Sequence, residues 1–185
     1  CEMKLNIIHG GRTERYESIL EQVAFANIQD YEIWQGLFDK NSVVRSINLS
    51  HRQIIEYAKL KGDKIICIAE DDIVFTHPNS YNYFLENIPQ SFDIYLGGIY
   101  VGDILSNNTV KSFSGFHLYI VHEKFYDTYL SIPEDVHVDR ALSNLGDFYV
   151  CNPMVAIQKD DIFSSNTGKV ENYQHLLKDK SIYKG

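Results

Sequence analysis

The sequence predicts an α/β fold, a three-layer sandwich around a mostly parallel central sheet. Three observations predict it. Short β-branched runs such as Lys64 to Ala69 are apolar without alternation, as strands buried on both faces are. Segments of helical periodicity stand between these runs, and strand–helix alternation is the pattern of a parallel sheet covered on both sides. The 185 residues hold no repeat, no low-complexity tract and no evident linker, which predicts one domain over 1–185.

Taken in order, Met3 to His9 reads as a buried strand, Leu5-Asn6-Ile7-Ile8, running into Gly10-Gly11. A helix follows, with Thr13 as the expected N-cap and Ile19, Leu20, Val23 and Ala24 on one face. Tyr31 to Trp34 is a short strand. Asn48 to Gly62 reads as a helix with a Ser50–Gln53 capping box, an Ile54, Ile55 and Ala58 stripe, and Gly62 at its end. The strand at Lys64 to Ala69 stops at Glu70-Asp71-Asp72. Ser80 to Ile88 is a helix, and Asp93 to Leu96 a strand leading to Gly97-Gly98. Tyr100 to Ser112 is polar and turn-rich, a loop or hairpin. Phe116 to Val121 is a strand, Glu123 to Leu130 a helix, and Val138 to Leu145 a short helix closed by Gly146. Phe148 to Cys151 and Met154 to Ile157 are short strands. From about residue 159 the chain reads as a polar tail.

Composition removes several function classes. Lys plus Arg number 17 against 25 Asp plus Glu, a net charge of −8. Nucleic-acid binding runs on basic side chains displacing counterions, so an acidic chain with no basic run is not expected to bind nucleic acid. The three cysteines, Cys1, Cys67 and Cys151, form no CxxC pair and argue against a disulfide framework or a Cys-rich zinc site. Cys67, inside an apolar run, reads as a small core residue. No segment approaches the ~18 consecutive apolar residues of a membrane span, and no signal-peptide pattern opens the chain. The expectation is a soluble, cytoplasmic protein with no transmembrane segment. A chain of this length buries about 70% of its unfolded surface and needs no staples.

The sharpest chemical feature is Glu70-Asp71-Asp72 at the end of a buried strand. In open α/β sheets, ligands collect beyond the carboxyl ends of the strands. Three adjacent carboxylates repel one another, and burying them unpaired costs several kcal/mol per ion. A divalent cation removes that cost, and hard oxygen ligands suit Mg²⁺ or Mn²⁺, which keep positions open for substrate phosphates. The plainer alternative is a solvated acidic turn. None of the seven histidines forms an HExxH or HxH pair. His9 and His51, near element ends, and Tyr95, Tyr100 and Phe116 are placed near the expected crevice.

An apolar strand ending in an acidic DxD-like triplet resembles the nucleotide-sugar glycosyltransferases of the GT-A fold. The Glu-Asp-Asp form, followed here by Ile73-Val74-Phe75, is most similar to the family that includes bacterial lipooligosaccharide galactosyltransferases and collagen galactosyltransferases. Further segments fit in order. Ile7-Ile8-His9-Gly10-Gly11-Arg12-Thr13-Glu14-Arg15 resembles the family's opening strand and arginine-bearing loop, and Ser50-His51 its Ser-His pair. Ser114 to Ile120 resembles the small-residue turn into a strand, Val138-Asp139-Arg140 the acidic short helix, and Asn152-Pro153 to Gln158 the Pro-containing strand ending in Gln. The likeness spans roughly residues 3 to 165. Ile8 stands where the family has Asn, and Gly11 replaces the first of its paired arginines.

The resemblance implies a metal-dependent, inverting transferase of lipopolysaccharide-type biosynthesis. It would move a sugar, galactose as the leading candidate, from a UDP-sugar to a glycan or surface-polysaccharide acceptor. It implies Asp72 as the ligand of Mn²⁺ or Mg²⁺. Glu70, Asp71, His9, Arg12 and Arg15 would handle the nucleotide sugar, with Asp71 alternatively bracing its loop. Asp139 would be the base that inversion requires. Two other classes stay open: a metal-dependent phosphohydrolase using the same triplet, and a non-catalytic relative that only binds nucleotide or glycan.

Overall fold

A computed structural model describes residues 3–159, 162–164, 169–171 and 174–185. Its centre is a six-stranded sheet of β1 (Leu5–His9), β2 (Tyr31–Gln35), β3 (Ile65–Glu70), β5 (Ile94–Leu96), β8 (Leu118–His122) and β9 (Phe148–Val150). The spatial order is β2-β1-β3-β8-β5-β9. The β1–β2, β1–β3 and β5–β9 pairs are parallel, while β8 runs antiparallel to both its neighbours. The sheet is thus mostly parallel, as the sequence predicts, with one reversed strand in its middle.

Helices cover both faces. Ile19 and Val23 of α1 (Thr13–Phe25) and Phe84 of α3 (Ser80–Glu86) pack on one face with Leu5, Cys67 and Tyr95. Ile54, Ile55 and Ala58 of α2 (Val43–Lys61), Tyr126 and Tyr129 of α4 (Tyr126–Leu130) and Leu142 of α5 (Val138–Leu142) pack on the other, against Ile66, Ile68 and Tyr119. Central strands buried on both sides have no polar face, which is why β3 and β8 read as continuous apolar runs. Three two-stranded ribbons complete the fold. They pair β4 (Ile73–Phe75) with β10 (Ala156–Gln158), β6 (Val101–Ile104) with β7 (Val110–Ser114), and β11 (Ile162–Ser164) with β12 (Lys169–Glu171).

Two helix starts differ from expectation. Thr13 is the first helical residue of α1, and Arg12, in extended conformation, takes the cap position without a side-chain bond. Helix α2 begins at Val43, where Ser42 Oγ accepts from Arg45 N at 3.1 Å. Ser50 therefore lies mid-helix and forms no capping box. Its hydroxyl donates to Ser46 O at 2.8 Å and accepts from Leu37 N at 2.8 Å. The apolar stripe extends back through Val44 and Ile47, and that periodicity outweighs a local capping pattern. Gly62 does close α2, with φ of 74° in the left-handed region.

The end of the chain is less loose than a polar tail. Leu177 and Tyr183 are buried, and Met154 bonds both ways with it, donating to Ser181 O and accepting from Tyr183 N, each at 2.8 Å. Cys67 and Cys151 are buried free thiols, and burial pushes the Cys67 thiol up to about 12. Cys1 lies outside the described residues. Among the described residues, no helix is long and apolar enough to cross a membrane.

Candidate functional site

A cavity of about 810 Å³ opens beyond the carboxyl ends of β1, β2 and β3, where α/β sheets collect their ligands. Arg12, Arg15, Glu70, Asp71, Asp72 and Asp139 all line it. So do Ser50, His51, Tyr100, Phe116 and Gln158. The fold thus gathers residues from 12 to 158 around one opening. Two expectations fail. His9 is not among the lining residues: its ring contacts Arg12 O at 3.0 Å and stands edge-on to Tyr16. Tyr95 faces the α3 side, where its hydroxyl donates to Phe84 O at 3.0 Å. Both follow from strand alternation, which turns successive side chains to opposite faces.

The turn after β3 sorts the three carboxylates by their neighbours. Asp71 is saturated. Its Oδ2 accepts from Gly10 N at 2.9 Å and its Oδ1 from Arg15 Nη1 at 2.9 Å, with both side chains largely buried. Burial works against the charge of Arg15, but Asp71 and Asp72 outweigh it and hold the guanidinium pKa above its ordinary value. Asp71 and Arg15 therefore brace the β1–α1 turn against the β3–β4 turn, each engaged by the other. Arg12 is more exposed, with its guanidinium 3.9 Å from Glu14.

Asp72 is different. Its Oδ2 accepts from Gln158 Nε2 at 3.1 Å, while its buried Oδ1 has no hydrogen-bond partner among the described residues. Burial, then the charge of Glu70, pushes the carboxyl up to about 8, with Arg15 pulling the other way. An acceptor left without a donor in a low-dielectric site is costly. Such a group fits a divalent cation, which would satisfy the oxygen and favour its ionised form. Among the described residues no cluster of three His, Cys, Asp or Glu side chains is arranged to hold an ion.

Glu70 meets the imidazole of His51, to which the family likeness attached no role. His51 Nε2 lies 3.3 Å from Glu70 Oε2, and its Nδ1 lies 2.5 Å from the Tyr119 hydroxyl, itself 3.2 Å from that of Tyr129. Across the cavity, Asp139 in the first turn of α5 accepts from Gly115 N at 3.1 Å and Ser114 Oγ at 3.4 Å through Oδ2. Its Oδ1 accepts from Arg140 N at 2.9 Å. His51, Gln158 and Ser114 all belong to segments that carried the family likeness. Their partners, distant in sequence, are what singles them out.

No family model and no curated protein sequence matches the chain. Similar solved structures include HddC from Yersinia pseudotuberculosis complexed with GMP-PN, at 14% identity over 85% of this chain and 93% of that one, TM-score 0.49. A glycosyltransferase involved in glycosylation of the major capsid of PBCV-1 matches at 12% identity over 82% of each chain, TM-score 0.47. A mutant of Drosophila beta1,4-galactosyltransferase 7, in complex with manganese, UDP-Gal and xylobiose, matches at 12% identity over 100% of this chain and 76% of that one, TM-score 0.41. Two of these three are glycosyltransferases. At such identities and scores they assign no residue of this chain a role.

Proposed function

We propose that this chain is a metal-dependent, inverting glycosyltransferase of the GT-A type, using a UDP-sugar, galactose first, and a glycan or polysaccharide acceptor. The observation that carries the reading is the unpartnered Asp72 Oδ1, at the end of β3 and in a cavity that also holds Asp139. The ordered sequence likeness to that family supports it, and a cavity of about 810 Å³ lies within the ~300–1,000 Å³ range of small-ligand sites.

Asp72 would hold Mn²⁺ or Mg²⁺, with Gln158 fixing its other oxygen. When bound, that cation supplies positive charge to the departing diphosphate. Glu70, steadied by His51, faces the same cavity and is available to the ribose or to a water on the metal. Arg12 stands at its rim for the nucleotide phosphates. Asp139, held by Gly115 and Ser114, takes the proton of the acceptor hydroxyl as that oxygen bonds to the anomeric carbon. The carbon's bond to the diphosphate oxygen breaks, and UDP leaves with the electron pair.

Thermal unfolding with UDP-, GDP- and CMP-sugars, with and without Mn²⁺, tests this. Ligand at 100 times its Kd stabilises a native state by about 2.7 kcal/mol, roughly 5–10 °C for a domain of this size. The expected result is a shift with one nucleotide, only with metal, absent in Asp72→Asn. Asp139→Asn should bind donor and lose transfer. An undiminished shift in Asp72→Asn would remove the metal role. No shift with any nucleotide sugar, alongside release of phosphate from simple esters, would make the chain a phosphohydrolase instead.

A further inference from the structure

A second cavity, of about 230 Å³, lies at the β9 edge of the sheet on the face that carries α3. It shares no lining residue with the large one. Its side chains are mainly tyrosines and asparagines, with Tyr83 and Tyr149 beside Asn87, Asn107, Asn108 and Asn152. Among the described residues that line it, none is Asp, Glu, Lys, Arg or His, although the chain carries 17 basic and 25 acidic residues. A phosphate or carboxylate would find no cation there, and a cationic ligand no counter-charge.

The walls are already fixed. Val150 N donates to Asn108 O at 2.9 Å, and Thr109 bridges Tyr149, so the tip of the β6–β7 hairpin is pinned to β9. Asn107 Oδ1 accepts from Thr109 N at 3.2 Å and Thr109 Oγ1 at 2.6 Å. Asn87 Nδ2 donates to Tyr83 O at 2.8 Å, and the Tyr83 ring packs 4.3 Å from that of Tyr183. With Asn152 Nδ2 donating to Asn108 Oδ1 at 3.4 Å, these bonds leave Asn107 Nδ2 and the Oδ1 atoms of Asn87 and Asn152 to a ligand, as donor and acceptors together. A site with fixed walls loses little freedom on binding.

We propose that this cavity is a subsite for one neutral sugar unit, apart from the transfer cavity. A pyranose presents C–H faces to aromatic rings and hydroxyls that both donate and accept, which amides answer with both functions. The volume lies below the ~300 Å³ at which drug-sized ligands begin, so it takes one ring. The proposal does not rest on the transfer reading, since the composition of the cavity selects the ligand whatever the chemistry elsewhere.

Saturation-transfer NMR on the full chain with galactose, glucose, xylose and N-acetylglucosamine provides the test. At least one sugar should receive saturation, and Tyr149→Ala should weaken it. Asn107→Asp keeps the oxygen that Thr109 uses and replaces the donor by a charge, on an exposed turn where folding is not at stake. It should weaken binding at least about fivefold, the value of one lost hydrogen bond. Phe38→Ala, which removes an exposed side chain lining the large cavity, should leave the signal unchanged. No saturation of any of the four sugars overturns the proposal, as does full binding by Asn107→Asp. Loss of the signal in Phe38→Ala alone would place the sugar in the large cavity and overturn it equally.

Discussion

In the turn after β3, Asp71 takes two donors, Asp72 takes one, and Glu70 meets a single buried imidazole. Adjacent carboxylates thereby acquire separate surroundings from distant partners: Asp71 is paired on both oxygens, Asp72 on one, and Glu70 faces an imidazole. None of this is visible in the run Glu-Asp-Asp itself. The triplet is legible in the sequence because an apolar strand stops there, but the place of Asp71 within it is not. The division depends on Arg15, Gly10, Gln158 and His51, up to 86 residues away. His51 is the most constrained of these partners, at 1% exposure, with hydrogen-bond neighbours on both ring nitrogens. If it holds Glu70, a double-mutant cycle of His51→Ala and Glu70→Ala should show a coupling of about 0.5–1.5 kcal/mol in urea unfolding. Additive losses would mean that Glu70 is not held and that His51 serves only the packing around Tyr119.

At the scale of elements, the strands and their burial were legible because doubly buried strands need unbroken apolar runs. The helix start at Val43 was not, since a Ser-x-x-Gln pattern at Ser50 resembles a cap in isolation. The reversed direction of β8 was also hidden, because pairing direction leaves no mark on a run buried on both faces. The crossing of β10 over the end of β5 is another feature of tertiary origin. Val155 N and Ala156 N both donate to Gly97 O, at 3.0 and 3.3 Å. A Cβ on Gly98 would stand 2.2 Å from Ala156 O and 3.0 Å from His117 Nε2. Backbone cannot yield as a flexible side chain does, so Gly98 is where β10 gains its approach. Gly98→Ala should destabilise by about 3 kcal/mol, the upper end of overpacking costs. It should also weaken donor binding, because Gln158, which anchors Asp72, sits at the end of β10. Wild-type stability in that variant would show that the crossing can shift without loss.

Across the whole molecule, the central sheet and the β4–β10 ribbon meet at His117. Its backbone carbonyl accepts from Glu70 N at 3.0 Å, and its Nε2 contacts Ala156 O at 2.8 Å. A carbonyl only accepts, so Nε2 carries the proton and Nδ1 is bare, buried and without a partner among the described residues. Charging this ring would put an N–H where no acceptor waits, and burial holds its pKa below the ordinary 6.5, although Ala156 O and the charge of Glu70 oppose this. The unfolded chain then binds a proton before the native one does as pH falls. The contribution of His117 is therefore complete above about pH 6.5 and is lost below it, as pH falls toward the depressed native value, at no more than about 1.4 kcal/mol per pH unit. His117→Gln keeps an amide donor for Ala156 O and cannot titrate. Urea unfolding followed by the single tryptophan, Trp34, and by circular dichroism should give one coincident transition. Between about pH 6.5 and 5 the wild type should lose more stability than His117→Gln. Equal acid limbs would mean that the ring is charged in the native state. Transitions that part between the two probes would mean that the β2 edge and the seam at His117 do not unfold together, so that the unity expected of one domain fails at that seam.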